Sequence, residues 1–503
     1  MNQPDFIVVG AGSAGCILAR RLAQEFGAMI TIVEAPCKAA PQIDRQRPAR
    51  WLKLLRSSED WDFTTSANPS LANRSLQWPR GRGIGGSSRI NSMIWFPPTA
   101  SDLEQLSTST QNCWSAQRIR NAIKSLEQIL QPEEPRWLSH TGKSFLTATE
   151  TLSDCNPMTY QRLNHKGCRR SLEEIMLPRD EEAETWRSNI QVVRGIVDQV
   201  CWNDQRAEGI QVITSEGINK LMSTYGVILA AGSIGTPSIL MRSGVGSPDD
   251  LDQHGISTRF SNRWVGKNLR DHLLMPVIFQ CEKSLKPFSY DPDPRVVAQW
   301  QVMGTGPLSS NLAECGGLFL NDTIQLHVTP THYLTFPKST NSAWMSIGVN
   351  LTQPRSRGSL QLSSANPMEP PKITADYLHC GEDLRQMIRG VEYVREITKS
   401  KDLEKVITSE ALPGKKRSTS QAIGKSIRRY AQTLYHPLGT CAVGTECESV
   451  VDPQFRLRDA SGIWIVDGSI FPGITVGNPN ATIMGLAWIA VEEIAARTLG
   501  GKC

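Results

Sequence analysis

The sequence has little that would place it in a membrane or in an oxidising compartment. No stretch of about 18 apolar residues occurs in the 503-residue chain, so no membrane-spanning helix is predicted. Met1 is followed almost at once by the strand-like segment DFIVVG, without the basic and apolar regions of a signal peptide. We therefore expect a cytoplasmic protein.

The twelve cysteines lack the spacing of a metal site or of a disulfide framework. None forms a CxxC pair and no histidine joins them at zinc-ligand spacing, so we expect reduced thiols and no metal centre. The net charge of +5 is small for this length, and no stretch combines basic residues with base-stacking aromatics. These features argue against nucleic-acid binding and leave a globular protein of two domains or one elaborated domain.

The first motif is a dinucleotide-binding fingerprint. Phe6 to Val9 reads as a buried strand, and GAGSAG follows with Gly10, Gly12 and Gly15 in the GxGxxG spacing. Gly10 permits a tight turn, Gly12 lets the backbone approach a pyrophosphate, and Gly15 allows close packing of helix on strand. Ser13 and Ala14 begin the helix whose N-terminus would hold that pyrophosphate.

A second strand, Ile30 to Val33, ends at Glu34 and Ala35, 19 residues past the last glycine. An acid at this distance accepts hydrogen bonds from ribose hydroxyls and repels a 2′-phosphate. The pattern predicts NAD or FAD rather than NADP, and it does not distinguish between those two.

Two later glycine-rich segments carry a specific resemblance. WPRGRGIGGSSRINSMIWF spans 78–96 and GSIGTPSILMRSGVG spans 232–246; both resemble the signature segments of the glucose–methanol–choline (GMC) family of flavin oxidoreductases. Further segments follow in the family's order: NIQVVRGIVDQV at 189–200, VGKNLRDH at 265–272, PRSRGSLQLSSANP at 354–367, HPLGT at 436–440, VVDPQFRLRDASGIWIVDGSIFP at 450–472 and GNPNATIMGLA at 477–487.

The resemblance implies FAD as cofactor and a set of residues around it. Beside the fingerprint positions already named, the implied cofactor-binding residues are Ile84, Gly86, Ser87, Asn91, Ser92, Met93, Ile94, Val197, Ala231, Asp467, Gly468, Asn478, Ala481 and Thr482. Val197 stands where an adenine contact is expected. Some members attach FAD through a histidine at the position of Ile90, so dissociable FAD is expected here.

His436 resembles the family's active-site histidine, and Asn480 is assigned to the second catalytic position. Hydride removal from a carbinol carbon requires the hydroxyl proton to leave, and a neutral imidazole suits that task. Asn480 would donate a hydrogen bond to the same oxygen. The implied reaction is oxidation of an alcohol to an aldehyde or ketone, with oxygen or another electron acceptor.

The sequence departs from the family pattern at two places. Pro97-Pro98 and Ser101-Asp102-Leu103 replace the usual continuation of the first signature, which puts the entry route to the flavin in doubt. From Ala411 to Thr445 there is no acidic residue, but there are six basic ones: Lys415, Lys416, Arg417, Lys425, Arg428 and Arg429. A solvated surface is the simpler interpretation, and steering of an anionic substrate or an acidic carrier protein is the alternative.

The implied fold is α/β: a Rossmann-like FAD-binding domain with a second α+β substrate domain built on an antiparallel sheet. We expect the FAD-binding domain at 1–280, with cap elements around 100–180, the substrate-binding domain at 281–435, and a C-terminal return at 436–503. Two other functions remain open: a lyase on the same scaffold, such as a hydroxynitrile lyase, and a non-catalytic flavin-binding protein. His436 and Asn480 argue against the latter, because a scaffold needs neither.

Overall fold

The computed structural model describes residues 3–178, 185–289, 293–338, 342–445 and 448–500. A parallel sheet forms its first layer, in the order Ile463–Ile465, Gly226–Leu229, Phe6–Val9, Ile30–Glu34, Ile190–Arg194. Phe6–Val9, Ile30–Glu34 and Gly226–Leu229 are buried along their whole length, as expected of parallel strands covered on both faces. Phe6–Val9 and Ile30–Glu34 are the two strands that the sequence predicts around the glycine fingerprint, to within one residue at their ends.

Two helices pack together beside this sheet. Ser13–Phe26 follows the first strand and ends at Gly27, whose φ of 65° is the left-handed conformation that glycine adopts readily. Asn480–Thr498 packs against it, and the Arg21 guanidinium lies 4.0 Å from the Trp488 ring centroid. Because both helices begin on the same side, their N-termini meet, and Ser13 Oγ donates to Asn480 Oδ1 at 2.7 Å.

An antiparallel sheet forms the second half of the molecule. Its strands lie in the order Ile407–Leu412, Leu273–Cys281, Trp344–Leu351, Ile324–Thr329, Cys315–Phe319, Cys155–Thr159, with Gln432–Thr433 pairing beside Leu273. The helix Gly381–Ile397 covers one face. The predicted α/β fold with a second, antiparallel sheet is therefore confirmed.

The strands of this sheet do not all come from the predicted substrate segment. Cys155–Thr159 lies outside 281–435 in sequence, as does Leu273–Cys281 except for its last residue, and both pair inside the same sheet. Sheet membership depends on long-range pairing, which the local pattern does not encode. The division into domains remains a prediction.

The remaining elements complete the framework. The other strands are Ile196–Asn203, Arg206–Thr214 and Gly217–Met222 in one antiparallel meander, and the pairs Phe63–Thr64 with Gln77–Trp78, Asn164–His165 with Cys168–Arg169, Val245–Gly246 with Phe260–Ser261, and Ser359–Gln361 with Lys372–Thr374. The other helices are Gln42–Gln46, Ala100–Ser109, Ala116–Leu130, His140–Thr149, Leu172–Met176, Gly232–Arg242, Pro248–Asp252, Pro294–Met303, Lys401–Glu404 and Ser420–Tyr430, with single 3₁₀ turns at Pro48–Lys53, Pro69–Leu71, Gly86–Arg89, Pro307–Ser309 and Gly468–Ile470.

Two sequence predictions, reduced cysteines and no membrane-spanning helix, can be compared with the residues that the structure describes. The ten cysteines that the structure describes are free thiols; Cys447 and Cys503 lie outside the described residues. Within the described ranges, no helix is both long enough and apolar enough to cross a bilayer.

The unusual Pro97-Pro98 segment leads directly into the helix Ala100–Ser109. Thr99 caps that helix and forms a capping box with Asp102. The other carboxylate oxygen of Asp102 accepts a hydrogen bond from Val476 N at 2.7 Å. The departure from the family pattern thus connects this helix to the loop that carries Gly477 and Asn478.

Candidate active site

The first glycine-rich loop is shaped by its three fingerprint glycines. Gly10 has φ of 97°, and a Cβ there would lie 2.5 Å from Ala230 O. A Cβ on Gly15 would lie 1.9 Å from Gly10 O, so only glycine allows this helix to approach its strand so closely. Gly12 differs, because no heavy atom lies within 4 Å of a Cβ built there. The loop therefore presents an open face at Gly12.

The second glycine-rich segment lies directly against the first loop. Gly85 N donates to Ala11 O at 2.7 Å, and a Cβ on Gly86 would lie 2.7 Å from Gly12 Cα. Gly86 therefore has to be small for the two loops to touch. Gly85 and Gly86 both have positive φ, 98° and 51°.

Glu34 joins these two loops. Its carboxylate accepts hydrogen bonds from Ala11 N at 2.7 Å, Ala35 N at 3.0 Å and Gly83 N at 3.1 Å. Burial raises the pKa of Glu34 to about 7, opposed by these three amides and by the Arg194 charge. The carboxylate therefore holds the two glycine-rich loops together, and its role at a ribose stays a prediction.

Asp467, which follows the edge strand Ile463–Ile465, also holds backbone and side-chain donors of a neighbouring segment. Its carboxylate accepts from Gly232 N at 2.8 Å, Thr236 Oγ1 at 2.6 Å and Ser469 N at 2.7 Å. It thereby fixes Ala231 and the start of the helix Gly232–Arg242 beside the first loop, and Gly468 follows it in a 3₁₀ turn. Burial raises the pKa of Asp467.

The other predicted cofactor positions surround this region. Asn91 Oδ1 accepts from Met93 N at 3.0 Å and from Arg169 Nη1 at 3.2 Å, and Ser92 O accepts from Asn311 Nδ2 at 2.7 Å. Gly195 N donates to Glu34 O at 3.0 Å, which brings the following Val197 close to Glu34. Ile84, Ser87, Ile94, Ala481 and Thr482 lie on the adjoining segments, where Ser87 Oγ accepts from Gly81 N at 3.1 Å.

This cradle fits a dinucleotide. The helix Ser13–Phe26 begins after Gly12, has no side-chain cap and no acidic residue in its first turn, so its N-terminus is free of competing acceptors from its own cap. A Cβ built on Gly232 also meets no heavy atom within 4 Å. Open space therefore lies in front of both glycine turns.

His436 is placed by its neighbours along the chain. Tyr435 has φ of 67° and Pro437 follows, so the backbone turns sharply on both sides of the imidazole. His436 N donates to Asp271 Oδ1 at 2.6 Å, and Asp271 Oδ2 accepts from Thr433 Oγ1 at 2.6 Å. Asp271 also accepts a hydrogen bond from Tyr377 Oη. One buried carboxylate thus anchors the segment that carries the histidine.

A second histidine determines which nitrogen of His436 carries a proton. His272 Nε2 lies 2.8 Å from Thr352 O, and His272 Nδ1 lies 2.9 Å from His436 Nδ1. A carbonyl only accepts, so His272 Nε2 carries the proton and its Nδ1 accepts from His436 Nδ1–H. In the neutral pair, His436 Nε2 is therefore the unprotonated nitrogen, and it accepts a hydrogen bond from Asn478 Nδ2 at 3.1 Å.

Both histidines are held in the neutral state. Burial lowers the pKa of His436 well below its ordinary value, and His272, His327 and Arg80 lower it further by charge repulsion. Burial also lowers the pKa of His272. An unprotonated imidazole at neutral pH is the form that can accept a proton.

The asparagine beside His436 is Asn478. Its Nδ2 lies 3.1 Å from His436 Nε2. Asn480, predicted for this position, faces the other way: its Oδ1 accepts from Ser13 and its Nδ2 lies 3.6 Å from Met484 Sδ. Asn480 is the first residue of a helix and points along the helix-packing seam, whereas Asn478 lies in the loop before it. The structure brings Asn478, and not Asn480, to His436.

Comparison with known proteins decides the family. The GMC oxidoreductase family models match residues 4–274 and 354–487. The alcohol dehydrogenase [acceptor] of Pseudomonas putida is 30% identical over 98% of this chain and 96% of its own length.

The chain belongs to the GMC oxidoreductase family.

Two further relatives show the range of this family. The oxygen-dependent choline dehydrogenase of Brucella ovis is 27% identical over 99% of this chain and 96% of its own length. The crystal structure of pyridoxine 4-oxidase from Mesorbium loti has a TM-score of 0.85 and 24% identity, covering 97% of this chain and 99% of that one. Members of the GMC family are FAD-dependent oxidoreductases that act on alcohols, and this chain is a GMC-type oxidoreductase.

Sequence reasoning missed two residues of this GMC site. Asp271 and His272 end the segment VGKNLRDH, which was used only as a family marker. An adjacent acid and histidine directly before a buried strand was the signal that could have singled them out. His272 contacts His436 and Thr352, which are 164 and 80 residues away, and Asp271 contacts His436, 165 residues away. The contacts themselves could therefore not be read from the sequence.

Proposed function

We propose that this chain oxidises an alcohol carbon (CH–OH) to an aldehyde or ketone, with His436 as the base. The observation that carries the proposal is one contact: Asn478 Nδ2 donates to the unprotonated His436 Nε2 at 3.1 Å. A carbinol oxygen that approaches both atoms replaces this contact, gives its proton to the imidazole and accepts a hydrogen bond from the amide.

We propose that FAD is bound in the glycine-lined cradle. Gly10, Gly12, Ser13, Ala14 and Gly15 would hold the pyrophosphate, Glu34 and Ala35 the ribose, and Val197 the adenine. The segment from Ile84 to Ile94, with Ala231, Asp467 and Gly468, would lie along the flavin half, and Ala481 and Thr482 would face it from the N-terminus of the last helix. When bound, FAD supplies the acceptor for the hydride at its N5.

The two asparagines take different tasks in this proposal. Asn478 orients the carbinol oxygen beside His436. Asn480, hydrogen-bonded to Ser13 at the first cofactor loop, positions the two helix N-termini that face the cofactor. Asp271 and His272 act as positioning residues, the first on the backbone of His436 and the second on its imidazole.

We propose that FAD is held without a covalent bond. Ile90 occupies the position where some family members carry the attaching histidine, and its side chain is buried among Ala40 and Leu54. After acid precipitation, the yellow colour should appear in the supernatant. Colour that remains with the denatured pellet would contradict this point.

The reaction is tested by anaerobic mixing of the purified flavoprotein with a panel of alcohols. Bleaching of the flavin band by at least one alcohol, abolished in His436→Gln and retained in His254→Leu, is the expected result. Turnover without bleaching would instead indicate a lyase such as a hydroxynitrile lyase, and neither bleaching nor turnover would indicate a binding protein. Admitting oxygen afterwards and measuring peroxide identifies the electron acceptor as oxygen or another compound.

A further inference from the structure

One face of the antiparallel sheet is polar although it is buried. Along Ile324–Thr329 and Trp344–Leu351, the residues that point to this side include Gln325, His327, Thr329, Ser346 and Asn350, here called the polar face. Every one of them is at most 6% exposed. The alternate residues are apolar and pack on the helix Gly381–Ile397, where a Cβ on Gly390 would lie 2.5 Å from Val349 Cγ1.

The polar face is directed at the candidate active site. Leu318, which pairs with Gln325, belongs to a small apolar cluster with Ile94, Phe96, Tyr160 and Val476. Ile94 and Phe96 end the second glycine-rich segment, and Val476 stands two residues before Asn478. On the other side, Trp344–Leu351 continues into Thr352, whose carbonyl accepts from His272.

His327 is the group on this face that most lacks a partner. It is 4% exposed, and neither ring nitrogen has a hydrogen-bond partner among the described residues. Directly opposite on the two neighbouring strands are Gly316 and Gly348, which have no side chain to offer one. Tyr160 packs on the ring at 5.2 Å between centroids, but its hydroxyl donates to Leu326 O at 2.7 Å.

Other atoms around His327 share this lack of partners. Thr329 Oγ1, Asn350 Oδ1 and Asn478 Oδ1 are buried and unpartnered within the part of the chain that the structure describes. A buried polar group without a hydrogen bond destabilises the folded state unless a ligand or water completes it. Several such groups between one sheet face and the catalytic histidine are typical of a site that a polar ligand completes.

The polar face carries no charge that would hold an ion. Its five residues are uncharged, and burial lowers the pKa of His327 to about 3, so this imidazole is neutral at physiological pH. Beyond the edge of the face, the Arg162 and Glu314 charges act on each other, and the Glu314 carboxylate accepts from Ser139 and Ser310. The five residues of the polar face therefore offer no counter-ion to a quaternary ammonium or a carboxylate.

We propose that the polar face is the substrate subsite, and that the substrate is a neutral alcohol with a second hydrogen-bonding group, a hydroxyl or a heteroaromatic nitrogen, that contacts His327 while its carbinol lies at His436. This inference rests on the proposed alcohol oxidation. A neutral imidazole offers one donor and one acceptor, so it can serve either kind of group.

The test compares alcohols that differ in the second group alone. Matched pairs are 1-butanol with 1,4-butanediol, and benzyl alcohol with 4-pyridylmethanol; choline and glycolate represent the charged classes. The expected kcat/KM is at least about tenfold higher for the polar member of one or both pairs, which corresponds to one additional hydrogen bond of about 1.4 kcal/mol. Choline and glycolate should be poorer than both.

Variants of His327 assign any preference to this residue. In His327→Leu the preference within each pair should disappear, and in His327→Gln, which keeps a donor and an acceptor, part of it should return. His254→Leu, a histidine outside both sheets, is the matched control and should retain the wild-type preference. A second readout does not depend on turnover: the Kd of 4-(methoxymethyl)pyridine against that of benzyl methyl ether, followed by the shift in flavin absorbance.

The outcomes separate this inference from the proposed function. If alcohols are oxidised with equal kcat/KM within both pairs, or choline or glycolate is preferred, the subsite assignment is overturned while alcohol oxidation stands. If the preference persists unchanged in His327→Leu, the second group is recognised elsewhere and the assignment is also overturned. If no alcohol bleaches the flavin, the proposed function itself fails, and the inference fails with it.

Discussion

The proton positions at His436 follow from one carbonyl group. Thr352 O can only accept, so His272 must donate to it from Nε2. The Nδ1 of His272 is then unprotonated and accepts a hydrogen bond from His436 Nδ1, 2.9 Å away. The lone pair of His436 Nε2 is therefore directed away from the pair, toward Asn478. A residue with no part in the chemistry thus determines which atom of the base is available.

Removing His272 should change the titration of the base as well as the rate. In His272→Leu, His436 Nδ1–H loses its acceptor, and this acceptor stabilises the imidazolium more than the neutral ring. Because His272 is itself neutral at the pH of turnover, the loss of the acceptor dominates and the pKa of His436 should fall further. We expect kcat/KM to fall by about tenfold or more, with its acidic limb displaced to lower pH. His272→Gln, which keeps an acceptor and a donor, should recover part of both. A lower rate with an unmoved pH profile would indicate a purely structural role.

The two asparagines should give opposite phenotypes. Asn478→Ala removes the donor beside His436 Nε2, so kcat should fall by about 10²–10³ with FAD content unchanged. Asn480→Ala removes the acceptor of Ser13, so the Kd for FAD should rise by about tenfold with a smaller effect on kcat of the loaded enzyme. Rapid kinetics and flavin titration of both variants provide the comparison. If Asn480→Ala were the variant with the larger loss of kcat, the assignment of the two roles would be reversed.

At the scale of elements, the sequence predicted what is local. The strand, glycine turn and helix of Phe6–Phe26 and the following strand Ile30–Glu34 follow from periodicity and glycine placement. The error over Asn478 and Asn480 is local too. Two residues of separation at the start of a helix rotate a side chain from one side of the backbone to the other, and the sequence pattern NPN does not tell which asparagine faces the histidine.

The connection between the two glycine loops through Glu34 is a contact that determines cofactor affinity. Three backbone amides point at its two oxygens, so Glu34→Gln places an NH₂ group against at least one N–H donor. We expect a loss of about 1–3 kcal/mol in FAD binding, which is a rise in Kd of roughly 5- to 150-fold, together with a lower Tm of the apoprotein. Glu216→Gln, on an exposed turn, is the control and should leave the Kd for FAD at its wild-type value. Equal Kd values in Glu34→Gln and wild type would contradict this role.

The basic segment from Ala411 to Thr445 is partly engaged in structure. Arg428 Nη1 donates to Ser70 O at 2.7 Å, whereas Lys415, Lys416 and Arg417 are exposed. Because the polar face selects a neutral substrate, we expect kcat/KM to be nearly independent of ionic strength and unchanged by reversing the charges of Lys415, Lys416 and Arg417 to Glu. A steep fall of kcat/KM with added salt would instead favour steering of an anionic substrate or an acidic carrier.

At the scale of the whole molecule, the site lies between two sheets that the chain builds from interleaved segments. The glycine turns lie at the ends of the strands of the parallel sheet. The antiparallel sheet provides the polar face and, directly before one of its strands, His272, which contacts His436. The sequence indicated both sheets, the cofactor cradle and His436. It could not show Asp271 or His272 in the site, because both act through partners far away in sequence. His327 resembles an ordinary core histidine in the sequence, because only the fold shows that it is buried without a hydrogen-bond partner among the described residues.

The buried histidines should also make the folded enzyme sensitive to acid. His327 has a folded pKa of about 3 and an unfolded pKa near 6.5, so below pH ~6.5 the unfolded chain takes up a proton that the folded chain does not. Its contribution to stability is fully present above pH ~6.5 and falls by about 1.4 kcal/mol for each pH unit below it. The buried carboxyls, Glu34 and Asp467 among them, act in the opposite sense, because their raised pKa values favour folding at lower pH.

A difference between two Tm values isolates the contribution of His327. The Tm of wild type minus that of His327→Gln, both loaded with FAD, should decrease steadily from pH ~7 to pH ~4.5. A constant difference over this range would show that His327 takes up its proton at the same pH in the folded enzyme and in the unfolded chain, which would contradict its folded pKa of about 3.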